Sequence, residues 1–333
     1  MARLITSTGR RRVGVVGVSG YGGGEILRLC ARHPEVDVVF AAGESSAGQR
    51  LGSRYPGLDG ALADLVIQAF DPRAIPDLDL LFLSLPTGQS RSAASELPAE
   101  LKIVDVGGDH RFVEGWTYGL SEIVGPATIA ASNRVADPGC FPAAALLALA
   151  PLVARGLVEP TRIVVDAKTG ISGAGRGGGS TFGFAEVNED VTAYNLLKHA
   201  HTPEMRQALS RMAGGAAASL VFSPHLVPMT RGILATCYAQ GRATTEQALR
   251  AARDFYAEAA FVRVSETPPH SKWPQGTNLA FVSYAADPEA EVVIALGAVD
   301  NLGKGAAGQA VQNMNLMLGL PETLGLELVP MVP

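Results

Sequence analysis

The chain has 333 residues, 47% of them apolar, with 27 Lys and Arg against 32 Asp and Glu for a net charge of −5. At roughly 100–200 residues per domain this length predicts two domains, and the acidic balance argues against the basic face that nucleic-acid binding needs. The longest apolar run, Ala143–Ala154, holds Pro151 and is too short for a bilayer span, so no membrane partner is expected. Cys30, Cys140 and Cys237 include no CxxC pair, which speaks against a disulfide framework and a structural zinc. No metal site is expected, and a reducing cytoplasm is the expected setting.

Arg3, Arg10, Arg11 and Arg12 read as a solvated, disordered basic arm. Arg12–Val18 reads as a β-branched strand running into a glycine-rich turn. A helix follows with Ile26, Leu27, Leu29 and Cys30 on one face, stopped by Pro34. Asp37–Ala42, Asp79–Leu85 and Lys102–Val106 are further buried strand-like runs. Apolar strands alternating with helical stretches predict parallel βαβ units, an α/β fold with a Rossmann-type doubly wound sheet. The texture changes after Asp137-Pro138-Gly139. Pro142–Arg155 reads as a helix, and strands are expected at Arg162–Lys168, Ser219–Phe222, Gly232–Ala239, Phe261–Val264, Asn278–Tyr284 and Val292–Gly297. Their mostly hairpin-range spacing predicts an α+β domain on a mixed, largely antiparallel sheet. Gly305–Leu318 reads as a helix that packs back on the first domain. The expected division is a discontinuous nucleotide-binding domain, 1–137 and 305–333, around a second domain, 138–304.

Gly17-Val-Ser-Gly20-Tyr-Gly-Gly23 lies between the first strand and helix. There glycines let backbone N–H groups approach a pyrophosphate, and the helix N-terminus adds its positive end. Gly17, Ser19, Gly20, Tyr21 and Gly22 are therefore cofactor candidates. At the end of the second strand Glu44 favours a free ribose hydroxyl, whereas Ser45, Ser46 and Arg50 suit a 2′-phosphate. Cys140 sits at a helix start, after Gly139 and before Pro142, where the helix N-terminus is expected to lower a thiol pKa and make a nucleophile. Cys30 and Cys237 lie among apolar residues and read as buried and inert. In His199-Ala200-His201-Thr202-Pro203-Glu204, Thr202 is expected to cap a helix beginning at Pro203. Two residues apart, His199 and His201 are not expected to share a face; one is a candidate acid/base and the other binds substrate or is structural. Arg111, Arg176 and Arg231, with Ser172 in the glycine- and hydroxyl-rich stretch from Lys168 to Gly179, read together as an anion site.

These motifs, with Pro138-Gly-Cys-Phe-Pro142, Ser172-Gly-Ala-Gly-Arg176, Pro224-His-Leu-Val-Pro-Met-Thr-Arg-Gly-Ile233 and Asp300-Asn-Leu-Gly-Lys-Gly-Ala-Ala-Gly-Gln309, span nearly the whole chain. Together they resemble the N-acetyl-γ-glutamyl-phosphate reductase family of arginine biosynthesis. The resemblance implies NADP as cofactor, a small-molecule acyl phosphate as substrate, and a homodimer or homotetramer built through the second domain. It implies that Cys140 forms a thioester as phosphate leaves and that the His199–His201 tract handles protons, His201 being favoured, with Glu204 orienting it. Arg111, Arg176, Arg231, Ser172 and Glu204 become substrate candidates; Leu85, Pro86, Gly175, Asn301 and Lys304 join the cofactor set, the last two facing the nicotinamide. Three positions depart from the family pattern: Asp137 replaces Asn, Ala200 replaces Arg, and Thr87 replaces a common His. The alternatives are a carrier-linked aminoadipyl-phosphate reductase, an aspartate-semialdehyde dehydrogenase and, in another class, an inactive nucleotide-binding regulator.

Overall fold

The computed structural model describes residues 9–176 and 182–330; Arg3 and the Gly177–Gly179 run lie outside them. Six strands form a wholly parallel sheet: β1 (Arg11–Val16), β2 (Val36–Ala42), β3 (Leu80–Leu83), β4 (Lys102–Asp105), β5 (Thr117–Tyr118) and β6 (Arg134–Ala136). Their spatial order is β2-β1-β3-β4-β6-β5. All four residues of β3 are fully buried, as expected of a strand covered on both faces. The order reverses beside β1, and that switch point places the glycine turn after β1 opposite the end of β3, where open α/β sheets bind ligands. The basic arm differs from expectation. Arg11 and Arg12 begin β1, and Arg10 pairs with Asp37 at 3.0 Å while its guanidinium also meets the carbonyls of His33 and Val36.

The second sheet contains β7 (Ile163–Gly170), β8 (Thr192–Ala193), β9 (Leu220–Val227), β10 (Ile233–Gln240), β11 (Val262–Val264), β12 (Ala280–Asp287) and β13 (Val292–Val299). It runs β11-β12-β13-β10-β7-β9-β8, with parallel pairing only at β11/β12 and β7/β9. The helix Cys140–Ala154 is buried from Phe141 to Val153, consistent with a sequence apolar on every side. It rests directly on this sheet: a side chain at Gly297 on β13 would collide with the carbonyl of Ala144.

The helix Gly308–Met317, preceded by a π-turn over Gly303–Ala307, returns to the first sheet. Its Val311, Met314 and Met317 share a core with Val13, Val15, Ile26 and Leu27. No helix among the described residues is long and apolar enough to cross a membrane.

Candidate active site

Gly139 and Cys140 join the two halves of the site. Cys140 is the first residue of its helix, and Gly305 packs against its Cβ. A side chain on Gly139 would collide with the His201 ring at Nε2, so the imidazole lies against the residue immediately before Cys140. Burial pushes the Cys140 thiol up to about 11, against the opposing pull of Arg111 and the N–H groups of Phe141 and Cys140. This corrects the expectation of a lowered pKa, because desolvation of the anion outweighs the helix N-terminus. Cys30 and Cys237 are buried, both with thiols pushed up to about 12.

The two histidines are neighbours. The helix starts at His201, two residues earlier than expected, and Thr202 does not cap it; its hydroxyl is buried with no partner among the described residues. His199 therefore lies in the preceding turn, where its Nδ1 accepts the His201 N–H at 3.1 Å and the rings approach to 4.6 Å. Burial, reinforced by Arg111 and His199, depresses the His201 pKa well below its ordinary value. The ring is thus neutral, with an unprotonated nitrogen that can take a proton.

Glu204, expected to orient His201, is instead engaged elsewhere. One oxygen accepts from Tyr118 Oη (2.8 Å) and Gly139 N (2.9 Å), the other from Arg111 Nη1 (2.9 Å). Arg111 also donates through Nε to the Asp137 carbonyl at 2.9 Å. Burial is the largest single influence and disfavours its charge, but Glu204, Tyr118, Asp137 and Cys140 together outweigh it and raise the pKa. The Asp137 carboxyl accepts from Asn313 at 3.0 Å, and burial raises its pKa well above the ordinary range despite Arg111 and Lys304.

Two clefts flank these residues. One, of about 360 Å³, brings Leu85, Pro86, Arg111, His201 and Glu204 together. The other, about 850 Å³, collects Tyr21, Ser172, Gly175, Arg176 and Arg231 with Arg54 and Tyr55. Arg176 lies over the Tyr21 ring at 4.8 Å. Arg231 is paired with Glu25 at 2.6 Å and Asp300 at 3.3 Å. Asn301 donates to Ser172 Oγ at 2.9 Å and accepts from Gly232 N at 2.8 Å, binding the hydroxyl-rich loop to the start of β10. Lys304, expected to face the nicotinamide, is instead fully buried with Nζ on Glu122 (2.5 Å) and Gln312 (2.7 Å).

The glycine turn has the form a dinucleotide needs. Gly17 has φ +92°, and a side chain there would collide with the Ser84 carbonyl on the facing strand end; one at Gly23 would collide with the Gly17 carbonyl. The helix Tyr21–Cys30 that follows has no side-chain cap at Gly20, and the N–H groups of a helix's first turn are the ones an anion can meet. Ser19 Oγ and Ser46 Oγ lie 2.5 Å apart, and Ser45 is exposed beside them. Sequence reasoning missed Tyr118, whose signal is only a lone aromatic, and Tyr194, which stands 5.6 Å from His199. No cluster of three or more metal-binding side chains occurs among the described residues.

A family model described as semialdehyde dehydrogenase, NAD binding domain, matches residues 12–132, and one described as semialdehyde dehydrogenase, dimerisation domain, matches 140–301. Proteins named N-acetyl-gamma-glutamyl-phosphate reductase from Bradyrhizobium sp. (strain ORS 278) and Methylobacterium sp. (strain 4-46) are 65% and 63% identical, over 97% of this chain and 99% of theirs. One from Salinispora arenicola is 45% identical over 95% of this chain and 97% of its own. The fold matches aspartate semialdehyde dehydrogenase II from Vibrio cholerae, with TM-score 0.72 and 18% identity over 94% of this chain and 99% of that one. It also matches the Candida albicans aspartate semialdehyde dehydrogenase solved with NADP, with TM-score 0.71 and 16% identity over 93% and 99%.

Proposed function

Since the chain belongs to the semialdehyde dehydrogenase family, among the N-acetyl-γ-glutamyl-phosphate reductases, we propose that it reduces N-acetyl-γ-glutamyl phosphate to N-acetylglutamate semialdehyde with NADPH. The observation that carries this reading is the placement of the His201 ring against Gly139 and of Arg111 on the Asp137 carbonyl, both in the turn that leads into Cys140.

Cys140 Sγ attacks the acyl carbon, the bond from that carbon to the phosphate oxygen breaks, and phosphate departs to leave a thioester. A thiol raised to about 11 is protonated at rest, so its proton must move as attack begins. His201 Nε2, against Gly139, accepts it and returns it to the acyl oxygen as hydride arrives at the thioester carbon. The C–S bond of the resulting thiohemiacetal then breaks, the hydroxyl proton passing through His201 back to Sγ, and the aldehyde leaves. Two of the Arg111 N–H groups are committed to Glu204 and Asp137; the remaining edge is available to a substrate carboxylate or phosphate. Gly17, Ser19, Gly20, Tyr21 and Gly22, with Leu85 and Pro86 opposite, would hold the dinucleotide, which when bound supplies the hydride.

Oxidation of N-acetylglutamate semialdehyde with NADP and phosphate, compared with aspartate semialdehyde and the aminoadipyl analogue, tests the assignment. The first should be the preferred substrate. Cys140→Ser should abolish turnover and retain nucleotide binding. Preference for another aldehyde, or wild-type turnover by Cys140→Ser, overturns it. We propose a homodimer or homotetramer as well, supported by exposed Val164, Val221 and Tyr238 on the second sheet; a monomeric mass by light scattering would remove that part.

A further inference from the structure

We propose that Arg54, rather than Arg50, reads the 2′-phosphate of the nucleotide; the inference rests on the NADPH reading and deepens it. In doubly wound sheets the adenosine ribose meets the end of the second strand, where a carboxylate selects a free hydroxyl and a nearby arginine accommodates a phosphate. Here β2 ends at Ala42, and the turn Glu44–Ser46 follows. The Glu44 carboxylate points to the backbone N–H of Phe70 at 3.4 Å. Arg50 reaches outward to Asp64 at 3.2 Å, both side chains being mostly exposed, so its charge is already answered in solvent.

Arg54 is placed differently. It closes the short helix Leu51–Arg54, and its Nη2 donates to the Ser19 carbonyl at 2.9 Å. Its neighbour Tyr55 donates to the Val18 carbonyl at 2.6 Å, holding this segment against the glycine turn. The Nε of Arg54 is buried without a hydrogen-bond partner, and no carboxylate lies within ion-pair distance of the guanidinium among the described residues. A half-buried cation without a counter-charge is costly unless an anion joins it.

Ser19 supplies the second half of the subsite. Its hydroxyl is paired with that of Ser46, which is almost fully buried. In such a pair one hydroxyl donates and the other keeps its own proton free. Ser46 is enclosed and Ser19 more accessible, so Ser19 is the hydroxyl that a ligand can reach. The guanidinium and the hydroxyl pair are thus both anchored on Ser19, one at its carbonyl and the other at its side chain, at the strand end where doubly wound sheets place the ribose. The ligand chemistry is a phosphate monoester dianion, which a planar fork and a hydroxyl recognise better than they recognise a ribose alcohol.

The test is titration of the purified full-length protein with NADPH and with NADH, and competition by 2′-AMP and 5′-AMP. Arg54→Ala should weaken NADPH and 2′-AMP by about tenfold or more, the usual worth of a charge-assisted hydrogen bond. NADH and 5′-AMP should change by less than about twofold, since they offer no partner to the lost charge. Arg54→Lys should fall between, showing that charge and not mere packing is read. Equal weakening of both dinucleotides would mean that Arg54 only builds the turn, and would overturn the proposal. So would a variant that keeps the NADPH preference, or an Arg50→Ala variant that alone erases it. A wild-type protein that prefers NADH would instead bring down the NADPH reading itself, a result visible before any variant is made.

Discussion

Cys140 and His201 are each shifted against their ordinary charge state, the thiol upward and the imidazole downward, with burial as the first cause in both. Both shifts favour the uncharged forms, a protonated thiol and a neutral imidazole. Alkylation of Cys140 by iodoacetamide should keep accelerating from pH 8 towards about 11, because only the thiolate reacts. A rate that levels off below pH 8 would show a preformed thiolate. His201→Asn should slow turnover by roughly 10²–10⁴-fold, the usual loss for a general acid–base group. The same substitution at His199 should cost less, since its Nδ1 is occupied by the His201 N–H; the reverse order in steady-state kinetics would exchange their roles. The sequence made Cys140 legible through Gly139 and Pro142. It did not reveal the enclosure that reverses the thiol's shift, because that depends on Gly305, remote in sequence and adjacent in space.

Among elements, the helix His201–Met212 contributes Glu204 to a buried junction that holds Arg111, Tyr118 and the Gly139 N–H. Arg111 and Tyr118 come from the first half of the chain, so one carboxylate ties the parallel sheet to the turn before Cys140. Glu204→Ala leaves Arg111 enclosed and unpaired and should cost about 3–5 kcal/mol in urea unfolding, as breaking one side of a buried pair does. A change under about 1 kcal/mol, the worth of an exposed pair, would show that water replaces the carboxylate. The histidine arrangement was misread at this scale. Starting the helix at Pro203 separates the two rings; starting it at His201 puts His199 in a turn that folds back. Apolar periodicity locates a helix but not its first residue. The short strands β5 and β6 escaped for a related reason, since two or three residues give no alternation to detect.

At the scale of the molecule, the two sheets were legible through their longer apolar strands, and the returning C-terminal helix was legible as well. The polar contacts between them were not: Lys304 seemed a ligand residue and is an internal cation held by Glu122 and Gln312. Three histidines, His33, His199 and His201, have pKa values lowered first of all by burial. Below about pH 6.5 the unfolded chain binds protons at these sites that the folded chain does not. Stability should therefore rise with pH through that window and fall as pH drops from 7.5 to 5.5. Urea midpoints that stay level across it would show that the rings protonate without unfolding.

The absence of a side chain at Gly297 lets the backbone of the Cys140 helix lie on the backbone of β13. At this contact backbone lies on backbone, with no side chain between to be trimmed, and on the proposed mechanism that fixes the height of the Cys140 sulfur above the sheet. Gly297→Ala should lift the whole helix, lowering kcat far more than nucleotide affinity; kinetics and nucleotide titration that fall in parallel would refute this. If the anchor holds, substrates of different length cannot be accommodated by shifting the sulfur. Tolerance for a longer or shorter acyl chain must come from the surfaces facing it, the Gly107–Arg111 turn and the Ala200–Glu204 helix start. Selection for a new chain length would then change those loops and leave the apolar helix as it is.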